Sequence, residues 1–179
     1  MSIVSVPTVE VTSDDNIVLT WTDSERKFHR YCDLPARIIL TNKGVLVRQE
    51  WFIHGQRHAE THPAIISYVN GIAREHEWFL WSKPGRKLDG PTYEKYSAEG
   101  DIVGQRWYDA NGQPHRIDGP AEVDYLKDRE CYWLDGTQMP LSRWEKERKA
   151  YLVHKMTIEE IEQALGKKIE IVGYVKADI

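Results

Sequence analysis

Three features of this sequence predict a mainly β fold: an antiparallel meander of about five 28-residue β-hairpin repeats, solenoid-like, with a C-terminal helical (α/β) cap. Prolines recur at a fixed interval, aromatic residues close the second strand of each interval, and turn dipeptides fall at matching offsets. Pro7, Pro35, Pro63, Pro91 and Pro120 stand 28, 28, 28 and 29 residues apart, and a period of that size signals a repeat architecture. Each is followed by Ala or Thr and then extended sequence: PTVEV, PARIIL, PAIISYV, PTYEKY and PAEVDY. Proline suits the first residue of a strand, where its missing N–H is harmless.

Each first strand runs to a polar turn, at Asp15-Asn16, Lys43-Gly44, Asn70-Gly71, Glu99-Gly100 and Lys127-Asp128. A second strand carries aromatic residues near its end: Trp21, Trp51-Phe52, Trp78-Phe79-Leu80-Trp81, Trp107-Tyr108 and Tyr132-Trp133. Second turns are expected at His54-Gly55, Pro84-Gly85, Asn111-Gly112 and Asp135-Gly136, because Gly and Asn take positive backbone angles at low cost. The first unit has Ser24-Glu25 there instead. The repeats thus span residues 1–136, as roughly ten strands of about 5–6 residues each.

Residues 137–179 break the pattern and form the cap. Ser142 can cap a helix through WEKERKAYLVHK, and Thr157 with Glu160 makes a capping box before IEEIEQAL, which Gly166 ends. KKIEIVGYV closes the chain as a strand. This cap is expected to cover the last open edge of the sheet, since exposed edges invite aggregation.

The run from Arg106 to Ala121, RWYDANGQPHRIDGPA, shows the unit most fully. Its W-Y-x-x-N-G-x-x-H-R-x-D-G-P-A pattern resembles MORN-type repeats, in the longer variant seen in bacterial and bacteriophage proteins. The likeness spans roughly Val6 to Gly136. Leu34 and His62 stand where the pattern has glycine, and Arg30 and Arg86 where it has histidine. The tail from Ser142 resembles the endings of small phage-encoded accessory proteins. The resemblance implies a non-enzymatic binding module, with a phage accessory inhibitor of a host anti-phage defence factor as the leading expectation and an antitoxin as another.

Several residue groups invite a functional reading beside a structural one. His54, His58 and His62 are spaced as metal ligands on a helix would be, but the repeat places a turn there, so no metal site is expected. His29-Arg30, Arg57-His58, Arg86-Lys87 and His115-Arg116 form a basic step, aligned by counting back from the proline. Such a ladder can bind nucleotides or other phosphate ligands through its Arg groups. Paired with Asp33, Asp89 and Asp118, it more simply holds the turns. The aromatic ladder reads as the core of a thin sheet, with stacking on bases as the alternative. Trp78 and Trp81 lie an odd number of residues apart, so in a regular strand one faces out. On these grounds the candidate binding residues are Trp78, Trp81, Arg86, His115, Arg116 and, on a cap helix that could dock a partner, Trp144.

Composition bounds the remainder. Hydrophobic residues make up 41% and charged residues 29%, which fits a folded soluble chain. The net charge of −4 argues against a nucleic-acid coat, which needs a strong positive field. Cys32 and Cys131 are unpaired in sequence, and no basic-then-apolar leader opens the chain, so a reduced cytoplasmic protein (host cytoplasm if phage-encoded) is expected. No apolar run approaches the ~20 residues of a membrane helix. GxSxG, HExxH, P-loop and Gly-rich nucleotide motifs are all missing, so neither an enzyme nor a cofactor is expected.

Overall fold

Eleven strands lie side by side in one antiparallel sheet, in chain order throughout. The computed structural model describes residues 6–155 together with Gln163, Gly166 and Lys168. The chain runs through β1 (Thr8–Val11), β2 (Ile17–Thr20), β3 (Arg37–Leu40) and β4 (Leu46–Glu50). A small hairpin, β5 (Phe52–Ile53) and β6 (Gln56–Arg57), precedes β7 (Ile65–Val69) and β8 (Ile72–Glu77). A second, β9 (Phe79–Leu80) and β10 (Lys83–Pro84), precedes β11 (Tyr93–Tyr96), β12 (Ile102–Arg106), β13 (Glu122–Asp124), β14 (Arg129–Leu134) and β15 (Thr137–Met139). The small hairpins are separate from the main sheet. Two isolated bridges, Thr22 to Phe28 and Tyr108 to Pro114, occupy corresponding places after β2 and β12.

Local chemistry explains the hairpins. The hydroxyls of Thr12, Thr41 and Ser97 accept the backbone N–H of Asn16, Val45 and Asp101 at 3.2, 3.1 and 3.3 Å, closing three turns in the same way. Asn70-Gly71 forms a two-residue turn with both φ positive, at 53° and 78°. The hairpins β3–β4, β7–β8 and β11–β12 each shift register once, at Ile39/Leu40, Ser67/Tyr68 and Lys95/Tyr96. The extra residue bends the strand at a matching place.

One row across the sheet brings Arg37, Glu50, Ile65, Glu77, Tyr93, Arg106 and Glu122 side by side. Glu50 is buried, and Arg37 and Arg48 donate to it at 2.9 and 3.0 Å. The apolar core follows the strand ends instead: Trp21, Trp51 and Trp78 are buried with Ala36, Ala59, Ala64 and Ala121. Burying ~150–250 Å² per large ring contributes on the order of 4–6 kcal/mol gross.

Two compact units divide the chain, one ending at Pro140 and the other starting at Leu141. The boundary falls beyond Gly136 because Thr137–Met139 pairs back on β14. In the second unit, α1 (Leu141–Lys155) starts directly after Pro140 and takes Ser142 inside its first turn. Among the described residues, Arg143 pairs with Glu147 along this helix at 2.7 Å. The second cap helix and the closing strand fall on residues almost wholly outside those described. No helix among the described residues is long and apolar enough to cross a membrane.

Candidate protein-binding edge

Where β2, β4, β8 and β12 end, the chain places Trp21, Trp51, Trp78 and Trp107 and enters a loop. Their N–H groups donate to the carbonyls of Ala36, Ala64, Thr92 and Ala121 at 2.8–2.9 Å. Their own carbonyls accept the N–H of His29, His58, Gly85 and His115 at 3.0–3.1 Å. The four loops are therefore clasped identically at both ends.

This clasp corrects the alignment made by counting back from proline. His29, His58, Gly85 and His115 are equivalent, followed by Arg30, Ala59, Arg86 and Arg116. The proline count slips because the Trp-to-Pro loops differ in length. The glycine expected to turn the chain at Pro84-Gly85 does not do so: β9 and β10 are joined at Trp81-Ser82, whose φ values are 53° and 61°.

The arginines of this step are committed to the loops. Arg30, Arg86 and Arg116 lie over Trp21, Trp78 and Trp107 at 3.7, 4.3 and 3.8 Å. Each also donates from Nη1 to the carbonyl of Pro35, Pro91 or Pro120 at 3.1, 3.2 and 3.3 Å. Arg116 further pairs with Asp118 at 2.7 Å. In the second loop buried Ala59 takes the Arg place and His62 covers Trp51 at 4.7 Å, held by Asp33 at 3.0 Å.

The histidines link one loop to the next. Nδ1 of His29, His58 and His115 accepts the backbone N–H of His54, Trp81 and Asp135 at 3.2, 3.4 and 3.0 Å. Each donor opens a two-residue turn in the left-handed region, at φ 47°, 53° and 45°. His54 stacks on His29 at 4.4 Å and Trp81 on His58 at 4.2 Å. Burial, with His54 adding to it, pushes the His29 pKa down, so its ring is neutral and carries its proton on Nε2. Gly55, Ser82 and Gly136 add backbone bonds to Phe28, Arg57 and Pro114 at 2.8, 2.8 and 3.0 Å. His54, His58 and His62 thus turn to separate partners: His54 also meets Asp23 at 2.8 Å, His58 meets Trp81, and His62 meets Asp33.

On this braced edge several large apolar side chains face solvent. Tyr31, Leu34, Trp81 and Leu88 are 65, 44, 54 and 75% exposed. Tyr31 and Leu34 rim a cleft of about 400 Å³, floored by Trp51 and Phe52 and walled by His58. Of the candidate binding residues, Trp81 stands on this exposed edge. Trp78 is buried beneath Arg86, while Arg86 and Arg116 lie against their own Trp rings. His115 is bonded to Asp135, and Trp144 is buried in α1 with the Arg148 guanidinium 4.9 Å from its ring. The five of them that lie in the first unit do not share one pocket among the described residues. Tyr31 and Leu88 escaped the sequence reading, although each directly follows a basic step inside a turn-rich loop, and Leu34 was read only as a replacement for the pattern's glycine. No protein-family model, curated protein or solved structure matches the chain.

Proposed function

We propose that this chain is a non-enzymatic protein-binding module of five MORN-like units that docks its partner on the loop edge. The observation that carries this reading is the exposure of Tyr31, Leu34, Trp81 and Leu88 on loops tied to one another through the histidine bonds. Aromatic and aliphatic anchors on a preorganised surface lose little entropy on binding, which is how a few residues come to dominate an interface. The resemblance of the repeats and tail to phage accessory proteins points to a host defence factor as the partner. An antitoxin would use the same edge on a toxin, and a toxin gene beside this one would single that out. A phosphate ligand at the His/Arg steps is less favoured, because Arg30, Arg86 and Arg116 already spend their guanidinium groups on Trp rings and Pro carbonyls.

The test is affinity capture from nuclease-treated host lysate, with the double variant Trp81→Ala, Leu88→Ser run beside the unmodified chain. One stoichiometric protein retained by the unmodified chain and lost by the variant is the expected result. Retention of no protein, or equal retention by both, sinks the reading.

A further inference from the structure

On the sheet face that carries Tyr93 and Arg106, strands β11 to β14 surround an open dent of about 320 Å³. Gly104 sits at its centre, opposite Lys95 on β11 and Asp124 on β13. Lys95, Arg106, Lys127 and Arg129 line the dent, against the two carboxylates Glu122 and Asp124. Four cations line the dent against two anions, with the Glu75 carboxylate of β8 directly opposite Lys95 at its margin. Arg106 and Arg129 both donate to Oε1 of Glu122, at 3.3 and 3.0 Å, and Oε2 has no partner among the described residues. Lys127 stands 3.6 Å from Asp124, and Lys95 has no ion-pair partner among the described residues.

The fold does not require glycine at position 104. Its φ lies outside the left-handed region, and an added Cβ would meet the Val123 carbonyl at 3.5 Å and Lys95 Cβ at 3.7 Å, which are ordinary contacts. The bulge beside it does not require glycine either. The corresponding places after the register shifts of β3–β4 and β7–β8 hold Arg48 and Glu75. A strand glycine without a backbone reason marks a close approach by something else. Here its effect is to keep the cationic dent open.

We infer that this dent binds a tetrahedral oxyanion bearing two charges and one hydroxyl, as monohydrogen phosphate does. The cationic lining attracts an anion, and guanidinium groups bind its oxygens through paired, charge-assisted hydrogen bonds. The carboxylates would repel a fully deprotonated anion, but Glu122 Oε2 can accept the hydroxyl hydrogen of phosphate. Sulfate and the dianion of a phosphate monoester have no such hydrogen to give. The site is separate from the loop edge and stands independently of the protein-binding reading.

Calorimetric titration of the full chain with inorganic phosphate at low ionic strength and pH 7.5 tests this, with sodium sulfate and glycerol 3-phosphate as comparison ligands. Saturable phosphate binding is expected, at least tenfold tighter than either comparison ligand. Gly104→Val, which fills the dent, and Arg129→Gln, at an exposed position, should each weaken it at least tenfold. No phosphate binding, unchanged binding by a folded Gly104→Val or by Arg129→Gln, or sulfate or glycerol 3-phosphate binding as tightly would overturn it.

Discussion

The backbone N–H of Trp81 donates to Nδ1 of His58 at 3.4 Å, and its indole stacks on that same imidazole at 4.2 Å. A non-glycine residue at φ 53° is strained, so the turn holds Trp81 where a glycine would be more comfortable. Trp81→Gly should therefore be more stable than Trp81→Ala by about 1 kcal/mol, although both lose the stacking contact. Both variants should lose the captured partner equally. Urea unfolding alongside the pull-down separates the two effects; partner binding that follows stability instead would remove Trp81 from the interface.

The guanidinium of Arg86 lies 4.3 Å from the Trp78 ring and donates to the Pro91 carbonyl at 3.2 Å. Arg86→Met keeps the aliphatic stem but loses the cation–π contact and the hydrogen bond, together about 1.5–2 kcal/mol. Arg86→Lys should recover only part of this, since an ammonium lacks the flat fork that serves ring and carbonyl together. Chemical denaturation of the two variants checks the order. Equal stability of Lys and Arg at this position would mean that charge alone holds the loop.

Glycine substitutions distinguish backbone need from open space. Gly71→Ala, at φ 78° in the Asn70-Gly71 turn, should cost about 1 kcal/mol. Gly104→Ala, in extended strand with ordinary contacts around the new methyl, should be neutral or gain up to about 0.5 kcal/mol through the unfolded chain. Thermal melts of both variants report the difference. A large loss in Gly104→Ala would show that glycine serves the sheet after all.

The period of the prolines and the turn dipeptides made the meander legible, because strand starts and two-residue turns depend on local backbone chemistry. The Trp ladder could also be read as core, since rings at strand ends bury against the neighbouring Ala positions. The loop alignment could not be read. Backbone clasps at Trp51 and His58 tolerate loops of different length, so proline counting placed His58 beside Arg30 when its equivalent is His29. Trp81 was singled out by strand parity, whereas its exposure comes from a turn. The dent at Gly104 was invisible because its cations come from three strands and a turn, and sequence spacing does not show which face each strand turns outward.

Glu50 and Glu77 lie in one row of the sheet, separated by Ile65, and their acidities are shifted in opposite directions. Burial alone would raise the Glu50 pKa, but the hydrogen bonds and charges of Arg37 and Arg48 outweigh it and hold it below the ordinary 4.5. Its contribution is therefore fully present above that pH and is lost as pH falls through the lowered value. Burial pushes Glu77 above 4.5, and Arg48, 3.7 Å away and shared with Glu50, only partly offsets this. Between 4.5 and that raised value the folded state binds the extra proton, so the Glu77 contribution falls as pH rises, and the cost persists at neutral pH. Glu50→Gln should cost on the order of 3 kcal/mol at pH 7, because Arg37, Arg48 and Arg57 lose their shared carboxylate. Glu77→Gln should instead raise the urea midpoint at pH 7 and show little gain near pH 4. Urea midpoints for both variants across this range test the pair; a Glu77→Gln variant destabilised at pH 7 would mean that its attraction to Arg48 outweighs its burial.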